Sequence, residues 1–173
     1  MMSFVLGGGC FWCLDSSFMQ FAGVIDVEVG YAGGQAATAD YETVCGGKSG
    51  HVEVARVNFD ETVIPADVIL DIFFTLHDPT QVNRQGNDVG TQYRTAMFYT
   101  DEAQRAVFAA AIERAKLIWG DTVVTTNEPL VEFFMGEEYH QDFFAKNPNQ
   151  GYCNYVVLPK MQKTRKAFVE YVK

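Results

Sequence analysis

Residues 7–15, Gly7-Gly8-Gly9-Cys10-Phe11-Trp12-Cys13-Leu14-Asp15, combine a glycine run, a Cys-x-x-Cys pair and the start of an apolar periodicity. The apolar run before them predicts a buried strand, and the glycines suit a tight strand-to-helix turn with close backbone approach. Apolar residues at spacings of three and four, from Phe11 to Phe21, predict a helix with Cys10 at its N-terminus. Free N–H groups and the helix dipole favour an anion there, so we expect a lowered Cys10 pKa.

The pair Cys10 and Cys13 has the spacing in which a second thiol can attack a chemically modified first one. An alternative is a plain turn with two cysteines as small core residues, because free cysteine is usually buried and inert. Core packing alone, however, does not explain the glycines, the helix start and the pairing together. A phosphate-binding loop is disfavoured, because the glycines are consecutive and no lysine follows them.

Composition and charge exclude several classes of protein. The 173 residues carry a net charge of −9, so a nucleic-acid or anionic-membrane surface is not expected, since phosphate binding needs clustered Lys and Arg. The one basic cluster, residues 160–166, suits a solvated helix face. Four cysteines are too few for a disulfide-dense secreted scaffold. Lacking a signal-peptide pattern or a membrane-length apolar run, the chain is expected in the cytoplasm, where a Cys-x-x-Cys is catalytic or metal-binding more often than structural.

The order of predicted elements indicates the fold. Strand, helix, strand, strand, helix, strand matches a ferredoxin-like split βαβ core, an α+β two-layer sandwich with a mixed sheet. We expect one catalytic domain over residues 1–173, with a core of about 3–146 and a C-terminal extension, 147–173. Alternation in the third strand fails near Ala55, which predicts a bulge or shift there. The predicted strands are 4–6, 24–31, 51–59 and 93–99, with short edges at 123–126 and 130–134; the predicted helices are 11–21, 65–76, 103–119, 137–146 and 160–172, with 152–158 extended.

Two long polar loops, 32–50 and 81–92, are predicted to be functional. If Cys10 is a nucleophile, it needs an acid to protonate what it attacks and donors to hold the substrate. Glu53 begins an apolar strand, where burial would raise its pKa and make it a proton donor; the alternative is an exposed strand residue. Tyr41 and Tyr93 flank the polar loops and can each offer an O–H, although a tyrosine on a strand is more often packing.

Gly8-Gly9-Cys10-Phe11-Trp12 resembles the active-site signature of the type A peptide methionine sulfoxide reductases. Further blocks resemble family motifs in family order and cover nearly the whole chain, which makes the likeness far more specific than a Cys-x-x-Cys. These blocks are 30–34, 41–45, 50–53, 78–80, 83–88, 90–94, 137–141, and 147–149 before 151–153.

The resemblance implies a reaction and a role for each of the residues above. Cys10 is the nucleophile that attacks the sulfoxide sulfur of oxidised methionine, and Glu53 protonates the sulfoxide oxygen. Tyr41 and Tyr93 hydrogen-bond that oxygen. Methionine is released and Cys10 is left as a sulfenic acid.

Three more residues gain roles from the resemblance. Phe11 and Trp12 form the apolar wall that takes the substrate methyl group, and Asp88 helps order the site and its water. Specificity for the S epimer at sulfur is implied, since each enzyme type serves one epimer. The substrates are free methionine sulfoxide or oxidised proteins, and we expect a monomer.

The resolving step is open in the sequence. Many relatives have glycine at position 13 and resolve through a cysteine corresponding to Cys153, whereas this chain has both thiols and carries Gln150 as an insertion. We expect Cys13 to act first, because a Cys10–Cys13 bridge needs little backbone movement, with Cys153 accepting the disulfide afterwards. The resemblance implies that thioredoxin recycles the enzyme, with NADPH and thioredoxin reductase as the source of electrons. It implies no bound cofactor or metal.

The Cys-x-x-Cys pair is also found in proteins of two other functions. A thiol–disulfide oxidoreductase using Cys10 and Cys13 would need a thioredoxin-like βαβ order and would leave Glu53 unexplained. A zinc-binding module would usually show two closely spaced ligand pairs, and the chain has one. Outside the site, we expect Cys45 to be a buried structural thiol. We expect His51 and His140 to order loops, and His77 to end a helix.

Overall fold

The computed structural model describes all 173 residues. Eight strands and six α-helices follow one another along the chain. The strands are β1 (Met2–Gly7), β2 (Val24–Ala32), β3 (Val52–Phe59), β4 (Arg84–Gln85), β5 (Asp88–Val89), β6 (Ala96–Tyr99), β7 (Thr126–Pro129) and β8 (Phe134–Met135). The helices are α1 (Phe11–Phe18), α2 (Tyr41–Cys45), α3 (Ala66–Leu76), α4 (Glu102–Trp119), α5 (Phe143–Lys146) and α6 (Leu158–Ala167).

A six-stranded sheet in the order β7-β6-β1-β3-β2-β8 forms the framework. Helix α1 joins β1 to β2 across the intervening β3, and α3 joins β3 to β6 across β1, so two split βαβ units interlock. The central strands are antiparallel, and β7 runs parallel to β6, which makes the sheet mixed. The predicted α+β ferredoxin-like sandwich is confirmed.

Strand β3 is buried on both faces. Val52 and Val54 pack in a small cluster with Phe98 on one face, while Ala55 joins the main core beneath the helices on the other. The predicted irregularity near Ala55 is wrong: β3 pairs continuously with β1, and the one register shift lies at the start of β2. Apolar and polar residues do not alternate regularly along β3 because both faces of this strand are apolar. In this register Glu53 points to the same side as Ala55, the side on which α1 lies.

The turn between β1 and α1 requires small residues. A Cβ on Gly8 would lie 2.9 Å from the ring of the buried His77, and Gly9 has a φ of +88° that side chains rarely adopt. Cys10 then takes the N-cap position with extended backbone angles, and α1 begins at Phe11. The predicted helix start is therefore confirmed, although α1 ends at Phe18, earlier than its apolar spacing suggests.

The C-terminal segment differs from its prediction. Residues 152–158 were expected to be extended, but Cys153–Val157 forms a π-helical turn that leads directly into α6. Tyrosine and valine favour strands in isolation, yet the spacing of four between Cys153 and Val157 buries both on one helical face. Pro159 lies at the start of α6, where the chain continues from the π-helical turn, so its missing N–H removes one main-chain donor from a continuous helical segment.

Smaller differences concern the loops. The first polar loop contains α2, and the second contains the β4–β5 hairpin. Strand β6 begins at Ala96, three residues after the predicted start, because Thr91–Tyr93 forms a 3₁₀ turn. The predicted helix over 137–146 is split into a 3₁₀ turn, Glu138–His140, and the short α5. None of the helices combines the length and apolarity that crossing a bilayer would need.

Candidate active site

Three of the four cysteines share one apolar cluster at the N-terminal end of α1. Cys10, Cys13 and Cys153 pack there together with Phe11 and Tyr31. Cys10 is 8% exposed, and the other two thiols are fully buried. The fold therefore places the sequence-predicted nucleophile and both candidate resolving thiols within one cluster, although they are separated by up to 143 positions (153 − 10) in the chain.

The Cys10 thiol is protonated in the resting protein. Burial raises its pKa well above the ordinary value, and the nearby Glu53 raises it further, while the N–H of Trp12 acts in the opposite direction. The expected lowering by the helix N-terminus is thus wrong, because desolvation of a thiolate in this cluster outweighs the favourable helix end. Attack by Cys10 must therefore be coupled to loss of its proton.

Glu53 lies directly beside Cys10. Its side chain is 1% exposed, and its Oε1 accepts a hydrogen bond from the N–H of Phe11 at 3.2 Å. Burial raises the Glu53 pKa to about 8; the Phe11 N–H lowers it, and the charge of Asp88 raises it again. The carboxyl group is consequently protonated at neutral pH, and it can donate that proton from Oε2. The alternative of an exposed strand residue is excluded.

Two tyrosines lie close to Cys10 and Glu53. Tyr41 is the first residue of α2, and its ring lies 4.4 Å from that of His140. Tyr93 ends a 3₁₀ turn and is tied to the glycine turn, since its carbonyl accepts the Gly9 N–H at 3.2 Å. Burial raises both tyrosine pKa values, and the charges of nearby groups add to the effect. Both hydroxyls therefore stay protonated and are available as donors.

Trp12 is held in a fixed orientation beside Cys10. Its Nε1 donates to Nδ1 of His140 at 3.0 Å, and its ring stacks on Phe143 at 3.7 Å with a 4° interplanar angle. Tyr152 meets the same indole edge-on. Because burial lowers the His140 pKa, the imidazole is neutral and can accept this bond. Phe11 is fully buried beneath, against Tyr31.

Asp88 connects the β4–β5 hairpin to the C-terminal segment. Its Oδ2 accepts a hydrogen bond from the hydroxyl of Tyr152, the residue before Cys153. The charge of Asp88 also raises the pKa of Glu53. Sequence reasoning assigned no role to Tyr152, although it lies within a quoted motif, because its partner is 64 positions away.

The two candidate resolving thiols differ in their surroundings. Burial raises the pKa of Cys13 to about 11, while the Lys160 ammonium and the Tyr152 hydroxyl lower it. Burial also raises the pKa of Cys153. Its main-chain N–H donates to Oε1 of Gln150 at 3.1 Å, so the inserted glutamine supports the start of the π-helical turn.

Among the remaining residues, Cys45 is exposed, so the expectation of a buried structural thiol is wrong: it is the last residue of the short α2, on the surface beside the Tyr41 hydroxyl. His51 orders a loop as expected, since its Nδ1 accepts the Gly34 N–H at 3.1 Å. His77 directly follows α3, also as expected, and burial lowers its pKa to about 4.

Neither rival function is favoured by the arrangement. Histidine, cysteine and carboxylate side chains nowhere form a group of three or more that could hold a metal ion. The strand order is ferredoxin-like, whereas a thioredoxin-like oxidoreductase would need a different βαβ order. A thiol, a protonated carboxylic acid and two phenol donors close together instead define a thiol-dependent reductase that can protonate an oxygen as it removes it.

Comparisons with known proteins specify this class further. The family model described as "Peptide methionine sulfoxide reductase" matches residues 2–171. A relative from Clavibacter michiganensis subsp. michiganensis, named "Peptide methionine sulfoxide reductase MsrA", is 59% identical over 173 residues, covering 100% of this chain and 99% of its own. The chain therefore belongs to the peptide methionine sulfoxide reductase family, and its reaction is the thiol-dependent reduction of methionine sulfoxide.

Solved structures agree with this assignment. Mxr1 from Saccharomyces cerevisiae in reduced form superposes with a TM-score of 0.83 at 35% identity, covering 88% of each chain. Methionine sulfoxide reductase A of Corynebacterium diphtheriae gives a TM-score of 0.78 at 33% identity, covering 88% of this chain and 77% of its own. A third structure, of Mxr1 in complex with Trx2, has the same fold, with a TM-score of 0.58 at 24% identity over 82% of this chain and 84% of its own.

Proposed function

We propose that the enzyme reduces the S epimer of methionine sulfoxide, with Cys10 as nucleophile and Glu53 as proton donor. The observation that carries this proposal is the buried Glu53 carboxyl, bonded to the peptide N–H next to Cys10 and protonated up to about pH 8. Its position matches a reaction in which an oxygen must be protonated while a thiol attacks the adjacent sulfur.

In the first step two protons move and two electrons pass from Cys10 to the substrate sulfur. Glu53 gives its proton to the sulfoxide oxygen while the Cys10 sulfur attacks the substrate sulfur and forms an S–S bond, and the carboxylate takes the thiol proton. The hydroxyl group then passes from the substrate sulfur to the Cys10 sulfur as the S–O and S–S bonds to the substrate break, so Cys10 is oxidised to sulfenic acid and methionine is released. The raised Cys10 pKa is compatible with this route, since the thiol proton has an acceptor only once Glu53 has given up its own.

Binding of the substrate is shared among the other site residues. The hydroxyls of Tyr41 and Tyr93 donate to the sulfoxide oxygen, and the half-buried Trp12, backed by the fully buried ring of Phe11, receives the methyl group. Asp88 orders the site through Tyr152. Support comes from the protonated state of both tyrosines and from the fixed orientation of the indole.

The sulfenic acid is resolved in two stages. The Cys13 thiol attacks it, which forms the Cys10–Cys13 disulfide and releases water; Cys153 then exchanges into this disulfide. The common cluster of the three thiols is compatible with disulfide exchange among them. If Cys153→Ser lost turnover and Cys13→Ser did not, the order in which the two thiols act would be reversed.

Recycling is assigned to thioredoxin, supplied with electrons from NADPH through thioredoxin reductase, and no bound cofactor is needed. The yeast relative Mxr1, solved in complex with Trx2, supports this partner. We further propose a monomeric cytoplasmic enzyme whose residues 1–173 form one catalytic domain, with a core of about 3–146 and a C-terminal segment, 147–173, that carries the second resolving thiol. Free methionine sulfoxide and oxidised proteins are both taken as substrates.

Thioredoxin-dependent NADPH consumption with separated S and R epimers tests the proposal. Turnover of S only, abolished in Cys10→Ser, is the expected result. If neither epimer were reduced while insulin disulfides were, the thiol–disulfide oxidoreductase function would replace this one.

A further inference from the structure

Glu137 makes an unusual pair of contacts that sequence reasoning did not anticipate. Its Oε1 accepts from the Tyr31 hydroxyl at 2.8 Å, and its Oε2 accepts from the main-chain N–H of Tyr41 at 2.9 Å. One half-buried carboxylate thus bridges a central strand and the first residue of α2. The partners are 106 and 96 positions away in the chain.

The segment that carries Glu137 is firmly attached to β2. The N–H of Gly136 donates to the Val29 carbonyl at 2.8 Å, and the Gln141 amide both accepts from the Val29 N–H and donates to its carbonyl, each at 2.9 Å. A Cβ on Gly136 would lie 2.9 Å from that carbonyl, so only glycine allows the approach. Glu137 is therefore presented from a fixed backbone rather than from a free loop.

Tyr31 is an equally fixed anchor. It is fully buried, lies opposite Glu53 in the β2–β3 register, and packs on Phe11. Burial raises its pKa, and so does its bond to Glu137, so its hydroxyl remains a donor. Its donation, together with that of the Tyr41 N–H, overcomes the burial of the carboxylate and lowers the Glu137 pKa, which keeps the carboxylate ionised.

Tyr41 is the residue that this arrangement controls. Its N–H belongs to the first turn of a five-residue helix, where no intrahelical acceptor exists, and a helix so short has little stability of its own. Glu137 supplies the missing acceptor. The ring of Tyr41 meanwhile rests on His140, in the 3₁₀ turn that follows Glu137. The backbone and the ring of Tyr41 thus both depend on residues 137–140, while its hydroxyl lies beside Cys45.

We propose that Glu137 is a positioning residue for sulfoxide reduction: it holds the backbone of Tyr41 so that the tyrosine hydroxyl meets the sulfoxide oxygen. The inference rests on the proposed role of Tyr41 in binding that oxygen. Glu137 itself touches neither substrate nor the reacting sulfur, and its effect is transmitted through Tyr41.

The test is single-turnover formation of methionine from the S epimer by Glu137→Gln, Tyr41→Phe and the double variant. Glutamine keeps the size of the side chain but replaces one acceptor oxygen with an NH₂ group. Either the Tyr31 hydroxyl or the Tyr41 N–H is therefore left without a partner. We expect the Glu137→Gln rate constant to fall on the order of tenfold, with substrate affinity changed much less, because a small misplacement of a group acting in the transition state is costly. In the Tyr41→Phe background the same substitution should add no more than about twofold.

Glu138→Gln is the matched control. This neighbouring carboxylate is exposed and pairs only with Lys146 at 3.7 Å, so its rate constant should stay within about twofold of wild type. If Glu137→Gln prevents folding, Tyr31→Phe removes the other anchor while leaving the ring, and a loss on the order of threefold is expected.

The outcomes separate the two proposals. Wild-type rates in Glu137→Gln, with Tyr41→Phe impaired, would overturn the inference and leave the proposed function intact. If Glu137→Gln lowered the rate constant equally with and without the Tyr41 hydroxyl, the inference would also be overturned, because Glu137 would then act independently of Tyr41. An unimpaired Tyr41→Phe would remove both the inference and the assignment of Tyr41 to the oxygen.

Discussion

At the scale of single residues, the site works by two opposed effects of burial. The same apolar surroundings keep the Glu53 carboxyl protonated and hold the Cys10 thiol back from ionising. A poised acid and a protonated nucleophile would be unproductive separately. In the proposed mechanism they become productive together, because the acid's proton leaves for the substrate oxygen as the thiol proton arrives.

The pH dependence of Glu53 gives the first prediction. The acid form is the active one and its pKa is about 8, so the single-turnover rate should be constant below that pH and fall above it. Glu53→Gln should lower the rate on the order of 10²–10³-fold, because general acids contribute about that much, and should remove the falling limb.

Glu28→Gln provides the control for that experiment. Glu28 is on the neighbouring strand β2 and pairs with Arg56 at 2.9 Å, at a partly exposed position outside the cysteine cluster. Its pH–rate profile should match that of the wild type. A wild-type rate that rises steadily through pH 8 and 9 would show instead that thiolate formation limits the reaction.

At the scale of elements, two junctions hold α1 in place. One is the glycine turn, where the ring of His77 fills the space beside Gly8. The other is Asp15, whose Oδ2 accepts the Asp142 N–H at 2.9 Å and thereby attaches α1 to the segment leading into α5. The first junction sets where Cys10 emerges, and the second sets where Phe143 stacks on Trp12.

The glycine turn predicts a stability change. Gly8→Ala would bring a methyl group within 2.9 Å of the His77 ring, and overpacking of this kind costs about 1–3 kcal/mol in the free energy of unfolding. Urea unfolding of the variant should show that loss. Gly151→Ala is the matched control, since nothing lies within 4 Å of the added Cβ; an equal loss there would refute the steric explanation.

Asp15 predicts a pH-dependent stability. Burial raises its pKa from the model-compound value of 3.8 to about 7, so the folded protein binds more protons than the unfolded chain between those values. Stability is therefore lost as the pH rises through this range. Asp15→Asn keeps an acceptor for the Asp142 N–H without titrating, so wild type should lose about 2 kcal/mol relative to it between pH 5 and 7.

The measurement is urea unfolding of both proteins at each pH. Asp121→Asn, at an exposed position, serves as the reference substitution. If the difference between wild type and Asp15→Asn did not change with pH, the carboxyl would not be titrating in this range, and the raised Asp15 pKa would be refuted.

At the scale of the whole molecule, sequence and structure agree where the relevant contacts are local. The glycine run, the start of α1 and the placement of Cys10 follow from residues within one turn of each other. Long-range contacts were not predictable: Tyr152 bonds to Asp88, and Glu137 bonds to Tyr31. No local pattern marks such pairs.

The prediction of an extended structure for residues 152–158 is wrong for a related reason. Its tyrosines and valines have strand propensity, and only the surface offered by α1 and the cysteine cluster makes a helical turn more favourable. The expectation of a lowered Cys10 pKa is wrong for the same reason. A helix end visible in the sequence favours the thiolate, whereas the burial that opposes it depends on residues from several distant segments.

Burial of the resolving thiols predicts a conformational change. Cys13 and Cys153 are fully covered in this structure, so a protein reductant cannot reach a disulfide between them without local opening. After one equivalent of the S epimer without reductant, amide hydrogen exchange should become faster over residues 143–157 and stay unchanged in α4. Unchanged exchange in both, with normal recycling by thioredoxin, would contradict this opening.

The most direct test of the account is a single oxidation of a variant that keeps only the nucleophile of the cluster, Cys13→Ser/Cys153→Ser. Mixed with the S epimer and no reductant, it should form one methionine per chain and trap a sulfenic acid at Cys10, identified by dimedone labelling and peptide mass spectrometry. Absence of methionine, or labelling at Cys45 instead, would contradict the assignment of Cys10 as the residue that removes the oxygen.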